Sequence, residues 1–169
     1  MEAAIKLGHK RKNFLIVMAG GGKEEDRIKV EIAANPILKE HLILLGFQSR
    51  EVCIDLRRVS KASLCLMAGF SLIEACAAGC PVISYDVEWH SELVKNNETG
   101  FLLKENDIEG VAEALDWLLS HPKEGESMGQ KAKALAFDRH NLKYTSEKKI
   151  KFYSEILSHG EHNQGSIYY

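Results

Sequence analysis

Ala68-Gly69-Phe70-Ser71-Leu72-Ile73-Glu74-Ala75-Cys76-Ala77-Ala78-Gly79-Cys80-Pro81-Val82-Ile83-Ser84 is the stretch around which the chain is organised. It spells a turn, a short buried helix, a forced stop and a new strand. Gly69 permits a tight backbone path. Ser71 is placed to cap a helix, and Glu74, three residues on, to reach back and complete a capping box. Almost every side chain between Leu72 and Ala78 is small or apolar, so this helix is expected to be wedged into the protein. Gly79 supplies a C-terminal cap and Pro81 prevents continuation. Val82-Ile83-Ser84-Tyr85 then has the composition of a buried strand. A helix N-terminus entered through a glycine turn leaves N–H groups unpaired and carries partial positive charge, which suits an anion such as a diphosphate. Glu74, one turn in, is placed to accept hydrogen bonds from ligand hydroxyls, or to serve only as the cap.

Upstream of this stretch, Phe14 to Ala19 is an unbroken apolar run, the pattern of a strand covered on both faces. Gly20-Gly21-Gly22 follows, and Lys23 to Ala34 predicts a helix with Ile28, Val30, Ile32 and Ala33 toward the core, interrupted by Asn35-Pro36. A strand, glycine turn and helix invite a dinucleotide-binding reading, but Glu25 stands where the third glycine of Gly-x-Gly-x-x-Gly belongs. Nor does Gly22-Lys23-Glu24 end a Walker A loop, which needs Lys followed by Ser or Thr. The glycines predict a sharp turn that approaches a ligand through Gly21 and Gly22. Leu42 to Leu45 is a second strand, ended by Gly46-Phe47-Gln48-Ser49, and Arg50 to Ser60 a helix. Ser63 to Met67 is a third strand, Val82 to Tyr85 the fourth and Gly100 to Leu103 a short fifth. Alternating strands and helices with throughout-apolar strands predict an α/β fold, a Rossmann-like parallel sheet flanked by helices. In such sheets ligands bind beyond the carboxyl ends of the strands, so the turns 20–22, 46–49, 68–71 and 86–90 are expected to line one crevice. Helices are expected from Asp107 to Leu119, from Glu124 to Phe137, and from Asn141 or Thr145 to near Leu157. Residues 1–157 then form one domain and 158–169 a loose polar tail.

Composition bounds the function. The 169 residues are 45% hydrophobic and 27% charged, enough for one sizeable core and too few for two ordinary domains. A formal net charge of -2 leaves no footprint for a polyanion, so nucleic acid is not an expected partner. No apolar run approaches the roughly 20 residues of a membrane span, and Met1-Glu2-Ala3-Ala4 is no signal peptide, so a cytoplasmic protein is expected. Cys53, Cys65, Cys76 and Cys80 sit in apolar contexts without a Cys-x-x-Cys pair and read as buried free thiols. The histidines are too scattered for a metal cluster, so no metal and no cofactor is expected. Lys6, Lys10, Arg11 and Lys12 read as part of a solvated basic turn.

Gly-Phe-Ser-Leu-Ile-Glu-Ala-Cys-Ala-Ala-Gly-Cys-Pro-Val-Ile-Ser, followed by His90-Ser91-Glu92-Leu93-Val94 and by Asn97-Glu98-Thr99-Gly100-Phe101-Leu102-Leu103, resembles the donor-binding half of a nucleotide-sugar glycosyltransferase. The fold implied is the C-terminal half of GT-B, and the type is the retaining family 4-like group, the glycosyl transferases group 1. The resemblance implies that Glu74 binds the ribose hydroxyls of a UDP- or GDP-sugar. It also implies that Gly69, Phe70, Ser71 and Leu72 meet the phosphates and sugar through their amides, and that Phe47 lies against the base. Glu92 and Thr99-Gly100 match recurrent positions that read as structural. Two departures stand out. Leu66 occupies the place of an earlier glutamate that contacts the donor sugar, and nothing before Glu2 matches the opening strand with its diphosphate-binding Arg and Lys. The acceptor-binding domain is absent too, and any peripheral membrane contact would belong to it. The expectation is therefore a donor-binding domain, excised or from a truncated gene, with no transfer activity alone and no catalytic residue assignable. Two alternatives stand beside it: a sugar-nucleotide epimerase of GT-B shape, for which His90 is the obvious candidate, and a non-catalytic interaction domain that kept the fold.

Overall fold

The structure is a computed structural model that describes residues 1–67 and 69–162, so Ala68 and 163–169 lie outside the described residues. Its elements run α1 (Glu2–Lys10), β1 (Ile16–Ala19), α2 (Glu25–Ala34), α3 (Pro36–His41), β2 (Leu42–Gly46), α4 (Arg50–Val59) and β3 (Ser63–Leu64). They continue as α5 (Phe70–Ala77), β4 (Val82–Tyr85), α6 (His90–Leu93), β5 (Gly100–Leu103), α7 (Ile108–Ser120), α8 (Pro122–His140) and α9 (Leu142–His162). The expected alternation is present and all strand pairs are parallel.

The strands do not form one sheet. β1 pairs with β2, and β3, β4 and β5 pair in that order as a separate sheet. The two share packing nonetheless: Phe14 and Ile16 lie against the cluster built on Ile83, Tyr85, Val111 and Leu118. A second cluster joins Ala4, Leu38 and Leu42, again with Ile16 at its margin. β4 is buried at all four positions, as its composition predicts.

β1 and β2 depart from the reading of strands covered on both faces. Ile16 pairs with Leu42 and Met18 with Leu44, turned toward α1, α2 and α3, whereas Val17 pairs with Ile43 on the other face. Side chains alternate across a strand, so one bare face exposes one residue in two. Leu15 is 54% exposed, Ile43 43%, and Val17 and Leu45 39% each.

Several boundaries also move. α3 was not expected, and it forms because Asn35 accepts from the amides of Ile37 and Leu38 while Pro36 presets the first turn. α2 begins at Glu25 and buries no residue fully; Val30, expected inward, is 69% exposed. β3 stops at Leu64, although the Cys65 amide still donates to the Ile83 carbonyl. α8 starts at Pro122, which is tolerated at a helix start because its missing N–H is unpaired there anyway. α9 continues to His162, so the stretch from 158 to 162 is helical rather than loose; the remainder of the expected tail lies outside the described residues. The basic residues near the start tie α1 to α7 instead of being simply solvated: Lys6 meets Glu109 at 2.6 Å and Arg11 meets Asp116 at 2.8 Å.

Candidate functional site

α5 does not begin with the expected capping box. Its N-cap is Gly69, no side chain caps it, and Ser71 falls inside the first turn. The backbone explains the shift: Gly69 has φ 157° and ψ 169°, a region open essentially to glycine, so the turn itself must be that residue. The first amides of α5 therefore carry no side-chain cap, and Glu74 is released from capping.

Glu74 turns instead to α4. Its Oε2 lies 2.9 Å from Nη1 of Arg57, an ion pair without the alignment of a hydrogen bond. Its Oε1 lies 3.7 Å from Nε of Arg50. Arg50 and Arg57 stand seven residues apart, two helical turns, so both project from one side of α4 toward the carboxylate. Ser49 caps this helix by accepting from the Val52 amide at 3.4 Å, which fixes Arg50 at its first position. The Glu74 side chain is 33% exposed, neither sealed in the core nor folded onto its own backbone.

The sequence did not single out Arg50 or Arg57. The usable signal was their seven-residue spacing on one helix.

Of the four turns expected to line one crevice, 20–22 and 46–49 meet directly. The Gly20 amide donates to the Gly46 carbonyl at 2.8 Å, and a Cβ on Gly21 would stand 4.0 Å from the Phe47 amide. Nothing lies within 4 Å of a Cβ on Gly22. Phe47 is 89% exposed and Phe70 81%. Leu72 is fully buried and its amide donates to the Gly69 carbonyl at 3.3 Å, so the expected contact of a ligand with Leu72 is not offered by the side chain or by a free amide. Two shallow depressions lie elsewhere, one walled by Ile73, Phe137 and Leu142 and the other by Lys29, Ile32 and Leu44; neither includes Glu74.

His90 is not in the crevice. It is fully buried, with Nδ1 2.6 Å from the Ser84 hydroxyl, and Ser84 in turn reaches the Cys65 carbonyl at 2.9 Å. The epimerase alternative thereby loses its candidate. Glu92 pairs with Arg139 at 3.5 Å, and the Thr99 hydroxyl donates to the Leu93 carbonyl at 2.7 Å, both structural ties.

Three buried thiols lie on α5 or close to its ends in sequence. Burial pushes Cys65 up to about 11 and Cys76 up to about 12, and raises Cys80 as well. Cys53, expected inside, is only partly buried. Among the described residues no group of three His, Cys, Asp or Glu is arranged to hold a metal ion, and no helix is long and apolar enough to cross a membrane.

Alpha-D-kanosaminyltransferase of Streptomyces kanamyceticus is 24% identical over 162 residues, covering 92% of this chain and 41% of its own. N-acetyl-alpha-D-glucosaminyl L-malate synthase of Bacillus anthracis is 27% identical over 145 residues, 83% of this chain and 36% of its own. The chain thus spans about two fifths of the length of the curated relatives it matches. Among solved structures, an S. aureus TarM variant crystallised with UDP, alpha-GlcNAc-glycerol and Fondaparinux superposes with a TM-score of 0.82 at 21% identity, over 89% of this chain and 31% of that one. At this identity the likeness establishes the fold, GT-B. The family profile described as "Glycosyl transferases group 1" matches residues 1–135, and on that match the chain belongs to the glycosyl transferases group 1 family.

Proposed function

We propose that these residues form the nucleotide-sugar-binding domain of a retaining glycosyltransferase, and that Glu74 accepts the ribose hydroxyls of a nucleoside diphosphate sugar. The observation that carries this is the state of Glu74. It sits one turn into an uncapped helix, held by arginines from a neighbouring element and open to solvent, at the place the family motif gives its ribose-binding glutamate. In this reading the amides of Gly69, Phe70 and Ser71 receive the phosphates, that of Leu72 being turned to the Gly69 carbonyl, and Phe47, beside Gly21 and Gly22, receives the base. The UDP carried by the TarM structure and the UDP-glucose carried by the Anabaena HepE structure support it.

Retaining transfer must stabilise a leaving diphosphate and an oxocarbenium-like sugar, which calls for fixed donors and cations in a closed cleft. Leu66 offers no carboxylate to the sugar, and no facing acceptor domain is formed by these residues. The chain alone is therefore proposed to bind donor without transferring sugar, with the opening strand and the acceptor domain supplied by further residues. The short span relative to its relatives and the split sheet support that.

Thermal melting with UDP, GDP and ADP tests the binding. A ligand at about 100 times its Kd adds roughly 2.7 kcal/mol to the folded state, a rise on the order of 5–10 °C for a chain of this size. One nucleotide is expected to give such a shift in the native chain and to lose it in Glu74→Gln, which keeps the shape and removes the charge. Equal shifts in both proteins would refute the assignment.

A further inference from the structure

Resting on that reading of Glu74, we propose that Arg57 is the positioning residue of the site. It pins one carboxylate oxygen of Glu74 so that the other is presented to the ligand's vicinal hydroxyls, with Arg50 as a displaceable cover.

The two arginines differ in the way this division requires. The Arg57 side chain is only 17% exposed, whereas that of Arg50 is 75% exposed. A guanidinium keeps its charge in proteins, so a largely buried one needs an anion beside it. Glu74 is the carboxylate the described contacts give to Arg57, at 2.9 Å. The reverse dependence follows: with Oε2 drawn to Arg57, Oε1 is left on the side of the exposed Arg50. Among the described residues the charge paired with Oε1 is Arg50, 3.7 Å away on a solvated side chain, an exposed pair of little energetic weight. A carboxylate oxygen is an acceptor with two lone pairs, the match for two neighbouring hydroxyls. Arg50 is free to swing away when they arrive.

Among the described residues, Glu74 pairs with Arg57 and Arg50, and of these only Arg57 is largely buried. The thiol of Cys65 close by is held neutral by burial. Lysine would keep the charge but not the planar fork that sets direction.

The readout is discrimination between hydroxylated and dehydroxylated ribose, measured by calorimetric titration of the full chain with UDP, GDP and ADP, each against its 2′,3′-dideoxy analogue. Hydrogen bonds to a charged acceptor predict a preference of roughly 10–100-fold for the hydroxylated form in the native chain. Arg57→Met is expected to bring that ratio below about threefold while diphosphate binding persists. Arg57→Lys is expected to recover part of it, and Arg50→Ala to keep it within about threefold of native. If Arg57→Met does not fold, Arg57→Gln, which retains donors without charge, is expected to show the same collapse. A folded Arg57→Met or Arg57→Gln with native discrimination overturns the role of Arg57 alone. A native chain that binds no nucleotide, or binds both forms equally, overturns the reading of Glu74 on which it rests.

Discussion

At the residue scale, the importance of Glu74 was legible and the contacts that hold it were not. Ser-x-x-Glu predicts a cap when the serine stands at the helix start, but Gly69 takes that place through a backbone conformation closed to serine. The Arg57 partner lies 17 positions upstream on a different helix, and no local pattern links the two. The cysteines were legible as free thiols, and their depth was not uniform. Thiolate is the reactive form, and burial keeps Cys65 and Cys76 protonated well above neutrality. Iodoacetamide at neutral pH is expected to label Cys53 first, with Cys65, Cys76 and Cys80 modified only as the chain unfolds, as read by peptide mass spectrometry. The same shifts have a sign for stability. Above the ordinary thiol value of 9.0 the unfolded chain loses protons that the folded chain keeps. Alkali therefore favours unfolding, by at most about 1.4 kcal/mol per thiol per pH unit until the folded values are reached. The melting temperature is expected to fall from pH 9 upward.

At the element scale, the helix stop at Gly79 and Pro81 was readable, and its use as a packing surface was not. A Cβ on Gly129, in the middle of α8, would fall 2.1 Å from the Gly79 carbonyl oxygen, and one on Gly125 3.2 Å from a methyl of Leu118. The Gly79 turn and α8 are thus in near backbone contact, and backbone cannot rotate aside as a side chain can. Gly129→Ala is expected to destabilise by at least about 1–3 kcal/mol, read as a lowered urea midpoint. Gly22→Ala, with open space around it, is the matched control and is expected to change little. The glycine content of α8 hints at close approach, but the sequence does not say to what. α9 is the opposite case: its helix was foreseen, yet Ile150, Phe152, Tyr153, Ile156 and Leu157 are more than half exposed.

For the whole molecule, the order of parallel strands and helices was legible because each apolar run and each glycine turn is a local signal. That the strands fall into two sheets was not, since strand pairing depends on what lies between them. Val17, Ile43 and Leu45 read as core, and they are exposed because nothing covers that face in these residues. If an additional strand joins β1 to β3, a longer chain carrying residues upstream of Met1 is expected to melt higher and more cooperatively than the 169-residue chain. Only the longer chain is expected to transfer sugar from donor to acceptor in a radiolabel assay. Transfer by the short chain, or an unchanged melting curve, would contradict this.

Among the described residues, β1 and β3 stand at sheet edges with no strand paired on their outer sides. Such rims recruit whatever extended polypeptide is near, and at high concentration the nearest is another copy of the same chain. Left by itself, a fold divided in this way carries the seed of its own aggregation.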